Sequence, residues 1–398
     1  MEESPKRKVP AYITPVLGAL MEDPTMPPGQ MAGALGISRQ TLWKEKRRLE
    51  RDNRIWGYTT AMDLTSLGWV MGVVLFRTRH LCREFARRGI SFFRNRSLAQ
   101  NGALELDTFI TNGEYDMINV FAAPDIVAAR RYYEQQRVVF DDHIMGKPHF
   151  MEVAFPIYIR GKPNPRVEDF TRFVPRYTTG GDVFGVMGAE GGSGGRTGTG
   201  CGCGGKTGGD SGDGEKICCG AGMGARHPGR PLSRATAQII QALLEDPTMS
   251  GAGMAKKLGI TRQKLWKVRR MMEEEGAIWG YTAVCDPVSP GGITATILYQ
   301  SKSLDMSQAR MAVDRVREGR HRREGVMVHN VFYLNGKYDI MSMISAPDLA
   351  SARAYYESVR EAFRDIQLTK PIMMEVAFPF IIGGKFNPGP ERIYGLIP

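Results

Sequence analysis

The chain has 398 residues, 42% of them hydrophobic, so it can bury more than one core; its net charge of +11 and pI near 9.4 favour an anionic partner, either nucleic acid or a membrane surface. No apolar run approaches the roughly 18 residues that would span a bilayer, and the opening Met1–Lys8 has no apolar stretch of the kind a secretory signal needs, so a cytoplasmic protein with no membrane partner is expected. Of six cysteines, four crowd together at Cys201, Cys203, Cys218 and Cys219, which excludes a disulfide framework for the remainder of the chain.

The chain is written twice. Glu22-Asp-Pro-Thr-Met26 returns at Glu245–Met249, Ile55-Trp-Gly-Tyr-Thr59 at Ile278–Thr282, and Met151-Glu-Val-Ala-Phe-Pro156 at Met374–Pro379, each pair 223 residues apart. The period is too long for a solenoid repeat, and it predicts two modules paired as an intramolecular pseudo-dimer. Cys82 and Cys285 do not stand at equivalent positions of the two copies.

In chain order, each copy opens on a helix, residues 11–22 and 234–245. A shorter helix follows at 30–35 and 253–258, ending at Gly36 and Gly259, where a left-handed residue closes a helix. Ser38 and Thr261 then cap a third helix, so the order is helix, glycine turn, helix, the DNA-reading arrangement. The third helices are basic at their N-terminal ends. Arg39, Gln40, Arg262 and Gln263 are candidates for base edges; Lys44, Arg47, Lys267 and Arg270 suit phosphates, with Ser38, Thr41, Thr261 and Lys264 beside them. Trp43 and Trp266 are expected to pack inward next to the Leu42/Leu49 and Leu265/Met272 stripes. Residues 55–60 and 278–283 are β-prone and suit a strand or small wing.

After Asp63 and Asp286 the periodicity predicts strand, helix, two strands, helix and strand, with Asn112-Gly113 and Asn335-Gly336 as hairpin turns. That is the ferredoxin-like βαββαβ order. Asp116 and Asp339 follow those turns; with Gly113 and Gly336 they could hold the ammonium and carboxylate of an amino acid, or cap the turn itself. The histidines do not recur between copies, which argues against a shared metal or nucleophile site, so no catalytic residue, metal or cofactor is expected. Between the copies lies a Gly-rich tract in which Gly200-x-x-x-x-Gly205-Lys206-Thr207 matches a phosphate-loop pattern without the flanking strand and helix that the motif needs. The four crowded cysteines of this tract could close on a zinc ion or respond to oxidants, although incidental thiols are the plainer reading.

Leu35-Gly-Ile-Ser-Arg-Gln-Thr-Leu42, Leu49-Glu50, Ile55-Trp-Gly-Tyr58 and Asn112-Gly-Glu-Tyr-Asp116, with their partners Leu258–Leu265, Glu273, Ile278–Tyr281 and Asn335–Asp339, resemble the Lrp/AsnC (leucine-responsive/asparagine regulator) family. The resemblance implies an α+β fold: two copies of a winged helix-turn-helix domain followed by a ferredoxin-like sensing domain. Helix-turn-helix units are expected at 10–62 and 232–285, sensing domains at 63–170 and 286–390, and a linker at 171–231. It further implies a transcriptional regulator, not an enzyme, that grips double-stranded DNA, takes an amino acid effector and assembles through its sensing domains, with higher homo-oligomers a further expectation. Lys46 and Arg269 depart from it, standing where the family usually has an apolar residue. The alternative is the sirohaem decarboxylases, enzymes on haem precursors that share this two-part build with a vestigial helix-turn-helix. For these, His329 on a predicted strand is the residue of interest, with Thr108 or a near neighbour opposite it in the first copy.

Overall fold

The structure, a computed structural model, describes residues 14–94, 102–172, 233–286, 292–301, 306–317, 325–362 and 371–397. Residues 173–231 of the expected linker, with its phosphate-loop pattern and its four cysteines, lie outside the described residues. The first copy begins with α1 (Pro15–Glu22), α2 (Pro28–Ala34) and α3 (Arg39–Arg51); the second begins with helices Arg234–Glu245, Gly251–Leu258 and Arg262–Glu274. Local chemistry sets these boundaries. Ser38 Oγ accepts the Thr41 N–H at 3.0 Å and Thr261 Oγ1 that of Lys264 at 3.2 Å, while Gly259 ends its helix at φ +63°.

Strands β1 (Ile55–Met62) and β7 (Ile278–Cys285) correct the expectation of a wing in each copy. They pair with each other, Thr59 opposite Thr282, as an antiparallel two-stranded sheet between the copies. The first helix of each copy lies on the other copy's strand. Thr59 and Thr60 donate their hydroxyls to the carbonyls of Leu244 and Leu243, and Thr282 donates to Met21 O at 2.8 Å. A near-identical apolar run offered by the partner copy satisfies the backbone better than a free wing would.

The remaining strands are β2 (Val70–Phe76), β3 (Leu104–Asn112), β4 (Met117–Ala123), β5 (His149–Ile159), β6 (Lys162–Pro163), β8 (Ile293–Tyr299), β9 (Met327–Asn335), β10 (Ile340–Ala346), β11 (Ile372–Ile382) and β12 (Lys385–Phe386). Among the described residues, eight of them close into an antiparallel barrel in the order β11-β3-β4-β2-β5-β9-β10-β8, with β8 returning to β11. Helices α4 (Arg83–Arg94), Ile126–Phe140, Met306–Arg317 and Leu349–Ala362 complete the two halves. Each half supplies four neighbouring strands. The halves are sewn together at two equivalent seams, Glu152 opposite Asn335 and Glu375 opposite Asn112. The chain is therefore a mixed α and β protein whose expected two sensing domains share one barrel, because closure removes the sheet edges each would otherwise expose.

Trp43 and Trp266 are a further correction. They are 61% and 59% exposed, since Leu42/Leu49 and Leu265/Met272 already fill the inward stripe and the next residue points about 100° away. Each instead lies under a guanidinium one turn on, Arg47 and Arg270. Lys46 and Arg269, the departures from the apolar pattern, place their cations 4.7 Å from the centroids of the Tyr58 and Tyr281 rings. No helix among the described residues is long and apolar enough to cross a membrane.

Candidate active site between the two copies

The pseudo-two-fold axis is marked by side chains that meet their own counterparts. Tyr115 Oη lies 3.0 Å from Tyr338 Oη, and Asn330 Nδ2 donates to Asp107 Oδ2 at 3.0 Å; the members of each pair are 223 residues apart. At Asp107 and Asn330 the equivalence is broken. The Arg160 N–H donates to Asn330 Oδ1 at 3.0 Å and the Gly383 N–H to Asp107 Oδ1 at 3.2 Å, one backbone bond made twice. Both donors stand in the left-handed region, Arg160 at φ +53° and Gly383 at φ +58°. Glycine adopts it freely, whereas an arginine there costs about 1–2 kcal/mol.

That arginine is retained with its side chain turned inward. Its Nη2 donates to Asp107 Oδ1 at 2.6 Å and to Leu106 O at 3.0 Å, and the ion pair is buried on both sides. A β-carbon on Gly383 would stand 2.8 Å from Val284 Cγ2, so the second half has no room for the same device. Burial pushes the Asp107 carboxyl up, against the pull of the Arg160 guanidinium. Asn330 opposite Asp107 supplies a donor where a second carboxylate would repel.

Arg160, Asp107 and Asn330 line a cavity of about 240 Å³. Thr59 and Thr60 of β1 form another part of its wall, and Leu244 and Glu245 close it from the helix Arg234–Glu245. Glu105 and Arg94 add charge of both signs. Glu105 Oε1 accepts the Tyr132 hydroxyl at 2.6 Å, and Arg94 pairs with Glu391 at 2.9 Å. Lys385 donates to the carbonyls of Leu244 and Glu245 at that helix's end, where burial pushes its ammonium down to about 8. Such a site can take a carboxylate into water-poor surroundings and hold it against a fixed guanidinium.

The tyrosine pair forms a second polar cluster. Lys337 Nζ donates to Tyr115 Oη at 2.8 Å, the Arg77 guanidinium lies over the Tyr115 ring, and His149 abuts that ring edge-on. Burial, and then Lys337 and Arg77, push the His149 pKa down.

The expected residues divide by place. Ser38, Arg39, Gln40, Thr41, Lys44 and Arg47 are exposed on α3, as are Thr261, Arg262, Gln263, Lys264, Lys267 and Arg270 on the equivalent helix, away from the cavity. Asp116 Oδ2 accepts the Thr78 N–H at 2.6 Å and Asp339 Oδ2 that of Ser301 at 2.7 Å. A β-carbon on Gly113 or Gly336 would press on Met374 or Met151, so these glycines allow the two copies to approach. His329 does lie on a strand, with Nε2 2.7 Å from Ser345 Oγ, and burial pushes its pKa down to about 4. Its counterpart in the first copy is Leu106, two residues before Thr108, and Leu106 lines the cavity. Arg160 and Asp107 were not singled out from the sequence. The contrast of Ile159-Arg-Gly-Lys162 with Ile382-Gly-Gly-Lys385 carries the signal.

No protein-family model and no curated protein matches the sequence. Among solved structures, the chain is similar to the sirohaem decarboxylase NirDL, at 13% identity over 96% of both chains with a TM-score of 0.44. The same enzyme with an iron-uroporphyrin III analogue aligns over the same shares at 13% identity and a TM-score of 0.45. An AsnC family transcriptional regulator from Agrobacterium tumefaciens, 23% identical, matches 37% of this chain and 91% of its own, with a TM-score of 0.29. The expectation of a DNA-binding regulator that is not an enzyme is corrected accordingly: the full-length likeness is to an enzyme, and the regulators align with about one copy.

Proposed function

We propose that this chain is an enzyme of the sirohaem decarboxylase kind, acting on a tetrapyrrole that bears carboxylate side chains. The observation that carries this reading is Arg160, a buried arginine kept at a left-handed backbone position on a cavity wall, where the other copy has glycine. Residues held in costly backbone conformations cluster at functional sites. The cavity, at about 240 Å³, falls below the roughly 300–1,000 Å³ that encloses a whole ligand, so it receives one carboxylated edge of the macrocycle.

In this reading Arg160 binds the side-chain carboxylate. The bond between that carboxylate and its carbon breaks, CO₂ leaves, and the electron pair passes into the conjugated ring. Glu105, on the same wall and bonded to Tyr132, returns the proton that takes the place of CO₂. The described parts of 10–62 and 232–285 descend from helix-turn-helix units and serve as covers over the barrel. The described parts of 63–170 and 286–390 are ferredoxin-like halves merged into it. Gly113, Asp116, Gly336 and Asp339 shape the hairpins on this view and hold no amino acid.

Anaerobic incubation with sirohaem, followed by mass spectrometry, tests the reading. The expected result is a product short of one or more carboxyl groups, with the rate lowered by about 100-fold in Arg160→Lys, which keeps the charge but loses the fork. Unchanged mass for sirohaem and for iron-uroporphyrin would overturn it.

A further inference from the structure

A cluster of metal-ligating side chains lies outside the cavity, in the first half. His80, Cys82 and His143 each present one ligand atom, and these atoms lie within 4.8 Å of one another. Cys82 Sγ is 3.8 Å from His143 Nδ1, close to the roughly 3.5 Å between sulfur and nitrogen ligands on one tetrahedral zinc ion. The His80 and His143 rings stand edge to face with centroids 6.1 Å apart.

Main-chain pairing holds the three together. Thr78 and Ile144 form a bridge, the Arg79 N–H donates to His143 O at 2.8 Å, and the Met145 N–H donates to Arg77 O at 2.8 Å. Phe85 packs edge-on against the His143 ring. His143 is buried, and the ring nitrogen that it turns to Cys82 is Nδ1. The counterparts in the second copy are Ser303, Asp305 and Ile366, so the set belongs to the first copy alone.

We propose that His80, Cys82 and His143 bind a borderline-soft divalent cation of the zinc class, with its fourth position open to water. Two imidazoles and a thiolate are the donor set such ions take, and the thiolate offsets one of the ion's two charges. None of the three lines the cavity, so this site stands independently of the decarboxylase reading. The ion fastens the segment after β2, which leads into α4, to the end of the helix Ile126–Phe140.

The test is titration of the full chain with Co²⁺ and with Zn²⁺, after Cys201, Cys203, Cys218 and Cys219 are changed to serine to remove competing thiols. One Co²⁺ per chain is expected, with a sulfur-to-cobalt charge-transfer band that Zn²⁺ displaces. Cys82→Ser should abolish the band. His143→Ala should weaken binding by more than the roughly 10–100-fold lost with a supporting residue. His80 is exposed, so His80→Ala leaves folding intact and should weaken binding as well. Absence of the band, its survival in Cys82→Ser, or unchanged affinity in His80→Ala would each overturn the proposal.

Discussion

The two turns that leave the barrel at 160–162 and 383–385 are the same turn built twice, and they do different things. Both put a left-handed residue next to the axis, and both donate one backbone N–H across it. In the first half that residue is arginine, tied into a buried ion pair on a cavity wall; in the second it is glycine, packed against Val284 with no room to spare. The difference teaches how a symmetric scaffold becomes one-sided. The backbone needed no change. A long cation, an acid on one side of the axis and an amide on the other were enough.

The sharpest way to break this comparison is at Asp107. Asp107→Ala leaves the Arg160 guanidinium, Asn330 Nδ2 and the Gly383 N–H without their shared acceptor, and should lower the unfolding free energy from urea titration by about 3–5 kcal/mol. Next comes Arg160→Gly, which copies the second half. It relieves the left-handed strain but strands a buried carboxylate, for a net loss of about 2–3 kcal/mol. Adding Asp107→Asn removes the stranded charge but sets its amide NH2 against Asn330 Nδ2 or the Gly383 N–H, so it should restore only part of that, with a coupling of about 1 kcal/mol in a double-mutant cycle. Strict additivity would show that the two residues do not act as one device.

A pH series sharpens the contrast from the other strand. The His329 pKa is pushed from the ordinary 6.5 down to about 4 in the folded chain, so the unfolded chain binds its proton first. Its contribution is fully present above pH 6.5 and is lost as the pH falls from 6.5 towards 4. His329→Gln should flatten that stretch of the stability profile, and an unaltered slope in the variant would remove His329 from the account. The smallest effect is expected at the tyrosine pair. Tyr115→Phe loses the bonds to both Tyr338 and Lys337 and should cost about 1–2 kcal/mol, against about 1 kcal/mol for Tyr338→Phe; thermal melts of the two variants check the order.

Much of the architecture was legible in the residues. The duplication, the caps at Ser38 and Thr261 and the βαββαβ order all rest on local chemistry that a short window of sequence carries. The pairing of the copies was legible too; what escaped was which side chains it brings together. β1 reads as a strand or a small wing because nothing within one module shows that Thr59 will face Thr282. Trp43 was expected inside because a large aromatic beside an apolar stripe reads as core; its outward turn follows from the helix being full already. The basic helices pointed to a DNA reader because charge and capping speak loudly in a sequence, whereas Arg160 and Asp107, 53 residues apart, meet only once the barrel closes. His80, Cys82 and His143 have no counterparts in the second copy, so the duplication hides a set that the structure assembles in the first copy alone.

The two seams of the barrel bear on inheritance as well as on shape. Had the halves been made as separate chains, each would offer the same edges to its own kind and to the other, and three assemblies would compete. Two first halves would set Asp107 against Asp107, and two second halves would hold glycine at both turns. Only the mixed pairing contains one Arg160, one Asp107 and one Asn330. Encoding both halves on one message supplies them in equal number and at each other's side. The covalent joint thus acts as quality control over which partners meet, and it lets the halves go on diverging without ever having to recognise each other among strangers.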